Sequence, residues 1–349
     1  MGRFSPAGYQ RLAQAMPGSL DVAFAGAEAN VGVTIAQLGG RAEFVSVLPN
    51  NPLGDAACAA LRALKVGVEH VVRTEEGRCG LYFVETGANQ RGGLVIYDRD
   101  GSAFAISGPE RYDWNAVLRG ASWFHVSGIS TAVSPQSARA TGAAVAAARQ
   151  AGLMVSYDLN FRRKLWRWEP GTSPEILARK TMAGILPDID VLLGSAQDIA
   201  GMTGIGPENF DAGGKADPAG LARAVSKAYP RLQWIGMTLR ENHSASRNRW
   251  GALLYQARGG QTFLAPRVDG KYQPYDIEAI VDRVGTGDVF SGALIFALQA
   301  PDLADPDRAI AFASAAGCLA HSIKGDFFYG TRAEVEALVR GDGAGYVSR

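Results

Sequence analysis

Residues 282–292 read Asp282-Arg283-Val284-Gly285-Thr286-Gly287-Asp288-Val289-Phe290-Ser291-Gly292, and the apolar pattern continues to Leu298. A glycine turn that feeds straight into an apolar helix leaves the N–H groups of Gly285, Thr286, Gly287 and Asp288 without intrahelical partners. Those donors and the helix dipole together make an anion site. A carboxylate at that place, Asp288, is suited to accept a proton from a hydroxyl attacking phosphorus. The plainer alternative is that Thr286 or Asp288 only caps the helix. The stretch is neither a GxxxxGK[ST] loop nor a GxGxxG fingerprint.

Working outward, the chain alternates. Ala29–Leu38 has helical apolar spacing and stops at Gly39-Gly40, Ala42–Leu48 reads as a strand, and Asp55–Leu64 as a helix. Leu20–Gly26, Leu81–Val84, Gly93–Tyr97 and Ala103–Ile106 are short β-rich pieces, which predict a small antiparallel sheet. From about residue 113 strands and helices alternate again: Trp123–Ser127, Met154–Asp158, Val191–Gly194 and Gln233–Leu239 are strands, with helices at Pro135–Gly152, Pro174–Ala183 and Ala219–Tyr229. Gly251–Gln256 and Thr262–Pro266 read as a hairpin, Ala309–His321 as an apolar helix, and Asp211–Gly220 as a mobile loop. The expected fold class is α/β, a doubly wound, mostly parallel sheet flanked by helices with a small β-sheet lid. Residues 26–78 and 108–349 would form the core, and residues 1–25 and 79–107 the lid.

Composition narrows the function. The 349 residues carry 35 Lys and Arg against 34 Asp and Glu, a net charge of +1, so no global field favours nucleic acid or an anionic membrane. Three scattered cysteines and four scattered histidines match no disulfide framework and no zinc motif. No apolar run reaches the length of a membrane span, and no signal peptide is legible, so the expected compartment is the cytoplasm.

The sequence resembles the PfkB/ribokinase family of carbohydrate kinases. Gly285–Gly292, GTGDVFSG, is similar to the second family signature, and Phe24–Val31 followed by Leu38-Gly39-Gly40 to the first. Further stretches are similar to 2-keto-3-deoxygluconate kinases: SPAGYQRL (5–12), LPNNPLGDAA (48–57), GLYF (80–83), IYDRDGSAFA (96–105), SYDLNFRRKLW (156–166), TLRENHSAS (238–246) and KGDF (324–327). The resemblance covers nearly the whole chain, in the expected order.

The resemblance implies a ribokinase-like fold and an ATP-dependent, Mg²⁺-assisted sugar-acid kinase acting on a terminal hydroxyl. Asp288 becomes the catalytic base, and Gly285, Thr286 and Gly287 the anion hole. Gly26, Ala27 and Asn30 hold the sugar, Tyr82 and Tyr97 come from the lid, and Arg99 and Arg162 clamp the carboxylate, a role suited to guanidinium. Asp326 lies against substrate hydroxyls. Ser195, Thr238 and Arg240 belong to the nucleotide side, and the helix Ala309–His321 walls the adenine. Asp198 acts on the metal indirectly. No nucleic-acid or membrane partner is implied, and pairing of lid strands allows a homodimer or higher oligomer. The plainer alternatives are packing tyrosines, a surface ion pair for Arg99 between Asp98 and Asp100, and a solvated basic loop at Arg162-Arg163-Lys164.

Three departures stand out. Ser195 and Asp198 replace the usual Asn and Glu, and Thr286 stands where GAGD has alanine. Relatives carry a strand of about eight residues ending in Gly-Glu ahead of the segment matching Arg3–Pro6. This sequence has no counterpart, which predicts either a late start or a missing core strand. Two rival functions follow: a kinase for a neutral sugar such as fructose or ribose, and a sugar-acid-binding relative with impaired catalysis. A nicotinamide dehydrogenase lacks its early GxGxxG.

Overall fold

A computed structural model describes residues 1–206 and 217–342. Its centre is one sheet in the order β12-β11-β10-β9-β8-β7. β7 (Trp123–Ser127), β8 (Met154–Asp158), β9 (Val191–Ser195) and β10 (Trp234–Asn242) run parallel. β11 (Asn248–Gln256) and β12 (Gln261–Ala265) continue antiparallel as the expected hairpin, and the short strand Tyr275–Ile277 pairs with β11. Val155, Tyr157, Val191, Leu192, Leu193, Ile235 and Met237 are fully buried, as strands covered on both faces require. One face packs under the helices Pro135–Gln150, Pro174–Ala183, Ala196–Thr203 and Pro218–Ala228, and the other under Thr286–Gln299 and Pro306–Ala320. Strand–helix–strand units joined by crossover helices yield this arrangement.

A second sheet stands over the strand ends. It has the order β2-β1-β5-β6, from β1 (Gly2–Ser5), β2 (Asp21–Phe24), β5 (Leu81–Glu85) and β6 (Leu94–Asp98). The sequence predicts a further strand at Ala103–Ile106. The structure has a helical turn there instead, capped by Ser102 and packed on the strand Ser46–Pro49 and the helix Pro135–Gln150. The Ser102 hydroxyl accepts the N–H of Ala105, and burying Ala103 and Ala105 fixes the turn, so local cap chemistry overrides the β-like composition. The expected loop Asp211–Gly220 lies outside the described residues up to 216, and its last three residues open the helix Pro218–Ala228.

A third, two-stranded parallel sheet consists of β3 (Ser46–Pro49) and β4 (Val71–Thr74). It lies beside the helix Ala27–Gln37 and forms its own apolar cluster with Ala29, Val33, Leu61 and Val66.

Candidate active site

The parallel strands deliver groups to a common rim: Ser127 from β7, Asp158 from β8, Ser195 from β9, and Thr238 and Arg240 from β10. Crevices at the C-terminal ends of such strands are where open α/β sheets bind ligands. Asp288 reaches the same rim from the first turn of the helix Thr286–Gln299.

Two glycines allow that placement. Gly285 adopts φ +84°, and a Cβ there would sit 2.7 Å from the Asp326 carbonyl oxygen. Only glycine satisfies both constraints. At Gly292 a Cβ would meet the Val31 carbonyl oxygen at 2.9 Å and Thr34 Cβ at 2.8 Å. Its absence lets Thr286–Gln299 lie against Ala27–Gln37, and that approach brings Asn30 to Asp288. Asn30 Nδ2 donates to Asp288 Oδ2 at 2.6 Å, and Asn160 Nδ2 donates to Oδ1 at 3.3 Å. The carboxylate is thus gripped on both oxygens.

Asp288 is buried, with 8% of its surface exposed. Burial and then the neighbouring Asp158 raise its pKa well above the ordinary carboxylate value, opposed by the Asn30 hydrogen bond and Arg162. Asp158 is itself pushed up to about 7, by burial first and then Asp198. The Ser291 hydroxyl donates to Asp158 Oδ2 at 3.3 Å. Two buried carboxylates with raised pKa values therefore stand close enough for one to raise the other, a pattern concentrated at catalytic sites.

The helix start is built for an anion. Among the described residues, the N–H groups of Gly285, Thr286, Gly287 and Asp288 have no protein acceptor. A Cβ at Gly287 would enter open space, so the backbone there is approachable. Arg240 Nη2 donates to Thr286 Oγ1 at 2.8 Å, and Thr286 Oγ1 donates to the Arg283 carbonyl at 3.2 Å. Arg240 is exposed to solvent. Desolvation, then Arg283 and Arg162, lower its pKa to about 10. A cation crowded by two others, without a carboxylate partner among the described residues, suits a polyphosphate. In the register of β9 and β10, Thr238 faces Ser195, whose hydroxyl caps the helix Ala196–Thr203 by accepting the Asp198 N–H at 3.1 Å. Burial raises the Asp198 pKa. Among the described residues no three acidic, histidine or cysteine side chains gather around a metal site. A divalent ion here would be held largely by phosphate oxygens, with Asp198 at most through water.

On the lid side, Gly26 caps the helix Ala27–Gln37, and its N–H donates to Asn30 Oδ1 at 3.3 Å. Arg99 stacks over Tyr97, with its guanidinium carbon 5.8 Å from the ring centre, and touches the Met1 thioether. Its neighbours Asp98 and Asp100 pair with Arg78 and Arg167, so the surface ion pair weighed for Arg99 does not form. Burial lowers the Arg99 pKa. Arg162 likewise forms no ion pair among the described residues, although it bears on Asp158, Asp198 and Asp288 alike.

Tyr82 and Asp326 meet each other. The Tyr82 hydroxyl donates to Asp326 Oδ1 at 2.6 Å, and Arg3 donates to the same oxygen at 2.6 Å and to Asp282 Oδ2 at 2.5 Å. Arg3 and both acids are buried. This cluster ties lid to core. Sequence reasoning names Asp326 and Tyr82 but not Arg3, Asp282, Asp158 or Asn160. Asp158 and Asn160 stand in the quoted SYDLNFRRKLW stretch, whose Asp-x-Asn spacing was the available signal.

A family model described as pfkB family carbohydrate kinase matches residues 13–327. A 2-dehydro-3-deoxygalactonokinase of Haloferax volcanii is 31% identical over 99% of this chain and 96% of its own length. The crystal structure of a 2-dehydro-3-deoxygluconokinase from Thermotoga maritima superposes with a TM-score of 0.86 at 38% identity, over 98% of this chain and 96% of that one. A fructokinase-2 of Solanum habrochaites is 28% identical over 86% of this chain and 81% of its own.

Proposed function

Because the chain belongs to the pfkB family of carbohydrate kinases, and so is a phosphotransferase acting on an alcohol group, we propose that it phosphorylates the terminal hydroxyl of a 2-keto-3-deoxy sugar acid, 2-keto-3-deoxygluconate, from ATP. The observation that supports the substrate class is the pair Arg99 and Arg162, near enough to repel one another and in no ion pair among the described residues. A sugar acid supplies a carboxylate, and a neutral sugar does not.

In this reading Asp288 accepts the hydroxyl proton while Asn30 and Asn160 hold its two oxygens in line. The N–H groups of Gly285, Thr286 and Gly287 stabilise charge building on the transferred group. Arg240 and Arg283 hold the phosphate chain, beside Ser195 and Thr238. Magnesium, arriving with the nucleotide, would supply neutralisation of phosphate charge. Gly26 and Ala27 seat the sugar, Tyr97 lines the lid side, and Tyr82 with Asp326 positions the lid. The lid's outer face exposes Val22, Leu94 and Ile96, which suits packing against a second subunit. Among the described residues no helix is long and apolar enough to cross a membrane, and we assign the reaction to the cytoplasm.

The fructokinase relative supports a second reading, a neutral-sugar substrate. The test is the ratio of kcat/KM for 2-keto-3-deoxygluconate over fructose in Arg99→Ala and Arg162→Ala. A fall of tenfold or more in the ratio supports the sugar acid. An unchanged ratio removes the basis for it.

A further inference from the structure

The stretch TLRENHSAS (238–246) gives Thr238 and Arg240 to the nucleotide side and then leaves β10 as the loop 243–247, which leads into β11. The loop is folded on itself. The N–H groups of His243 and Ser244 both donate to the Arg247 carbonyl at 3.1 Å, and the Ser246 N–H donates to Ser244 Oγ at 3.1 Å. Its outer turn does not end in solvent: Ala245 and Ser246 are half-buried, and both meet the tip of the lid.

That tip is the turn between β5 and β6. Ala88 and Arg91 close it with a reciprocal pair of main-chain hydrogen bonds at 2.9 Å, and Asn89 takes φ +50°. Asparagine is among the residues that tolerate this left-handed conformation. So held, Asn89 presents both of its main-chain groups to the facing loop. Its N–H donates to Ser246 Oγ at 2.9 Å, and its carbonyl accepts the Ala245 N–H at 2.7 Å. At Gly87 a Cβ would stand 2.9 Å from the Ala245 side chain, so the two loops meet closely.

Behind the loop stands Arg283. Its Nη2 donates to the Ser244 carbonyl at 3.3 Å and to Asn248 Oδ1 at 2.9 Å, and the Ile280 N–H donates to the Ser246 carbonyl at 3.0 Å. The segment that leads into the Gly285 turn therefore grips the loop. The far end of the lid hairpin carries Tyr82, Tyr97 and Arg99, and the paired strands β5 and β6 join that end to the tip. One path of paired strands and hydrogen bonds thus runs from the sugar side to Arg283 on the phosphate side. Its junction is two hydrogen bonds between surface loops, which are weak enough to open and close.

We propose that Asn89, Ala245 and Ser246 form a latch through which nucleotide and sugar strengthen each other's binding. Ser246 acts as a positioning residue, through the lid and Arg283. The proposal rests on the two-substrate site assigned above. A phosphate chain that orders Arg283 fixes the loop in the form that receives Asn89, and a sugar that draws in the lid brings Asn89 to the loop. Linkage makes the effect reciprocal.

Two variants weaken the latch. Ser246→Ala removes one acceptor. Replacing residues 86–93 by Asn-Gly removes the tip and joins Glu85 to Leu94, which are already paired, through a tight hairpin turn. Calorimetry measures the Kd of a non-hydrolysable ATP analogue with Mg²⁺, alone and beside saturating 2-keto-3-deoxygluconate, with fructose in a parallel arm. The unaltered chain is expected to bind the analogue about fivefold or more tightly beside its sugar. That factor should fall in Ser246→Ala, and in the shortened lid to within about twofold of one. Hydrogen exchange supplies a readout without sugar: the analogue alone should slow the Asn89 and Ala245 amides by about threefold or more. A factor that persists in the shortened lid overturns the latch, as does exchange at those two amides that the analogue leaves unchanged. A factor near one in the unaltered chain, with a sugar that it turns over, overturns it too. Failure of the substrate assignment reads differently: the factor then arises with fructose and not with the keto acid, and the latch stands.

Discussion

Asp288 is a carboxylate whose surroundings oppose its charge. Burial and Asp158 raise its pKa, so its base form grows in as pH rises, and activity should follow on the acidic side. Replacing Asp158 by Asn removes the repelling charge. The Asp288 pKa falls, and the acidic limb of kcat/KM moves to lower pH by roughly one unit. A limb that stays in place shows that Asp158 does not govern the base. Removing the Asn30 donor acts the opposite way, because that bond favours the charged carboxylate. In Asn30→Ala the limb should move to higher pH, and kcat should fall more than KM rises. Asp288 itself is legible in the sequence, since an acid after a glycine turn at a helix start has few roles. Asn30 is legible as a candidate site residue but not as the partner of Asp288, because the contact joins positions 258 residues apart.

The helix Thr286–Gln299 is the element on which the site depends. It is apolar nearly all round, with Val289, Phe290, Ala293, Leu294 and Ala297 buried, which reads from the sequence as an internal helix. Gly285 reads as a turn residue and Gly292 as a helix residue. That Gly292 marks a close helix–helix approach follows only from the packing partner. Gly285→Ala forces a left-handed residue and a Cβ at 2.7 Å from the Asp326 carbonyl. The strain should cost about 2 kcal/mol of stability. It should also lower kcat, by tilting the N–H groups proposed to face the transferred group. Denaturant unfolding and steady-state kinetics on the same variant check both, and a variant with wild-type kcat would show that the turn geometry is not catalytic. The turn at Ala103–Ile106 marks the limit of composition as a guide. Its residues suit a strand, and a serine cap with two buried alanines makes it helical.

At the scale of the molecule, the parallel sheet and its flanking helices were legible because buried strands and amphipathic helices differ in period. The joint between lid and core was not. It rests on Arg3, whose guanidinium bridges Asp282 and Asp326 across more than 270 residues of sequence. Removing it leaves two buried acids without a cation. Arg3→Met should lower stability by about 3–5 kcal/mol at neutral pH. Because burial raises the Asp326 pKa and protonation removes its charge, the deficit should shrink as pH falls, and urea unfolding at pH 7 and pH 5 measures it. An equal deficit at both would place the loss in packing rather than charge.

The proposed enzyme is a sugar-acid kinase with Asp288 as its base. The most direct measurement is ADP release from Mg·ATP with 2-keto-3-deoxygluconate, fructose and ribose, in the wild-type chain and in Asp288→Asn. The account predicts turnover with the keto acid in strong preference to either neutral sugar. In Asp288→Asn it predicts a loss of ~10²–10⁴-fold in kcat, with keto-acid binding retained in calorimetry. Preferred turnover of fructose or ribose, or an Asp288→Asn variant that keeps its kcat, would contradict it.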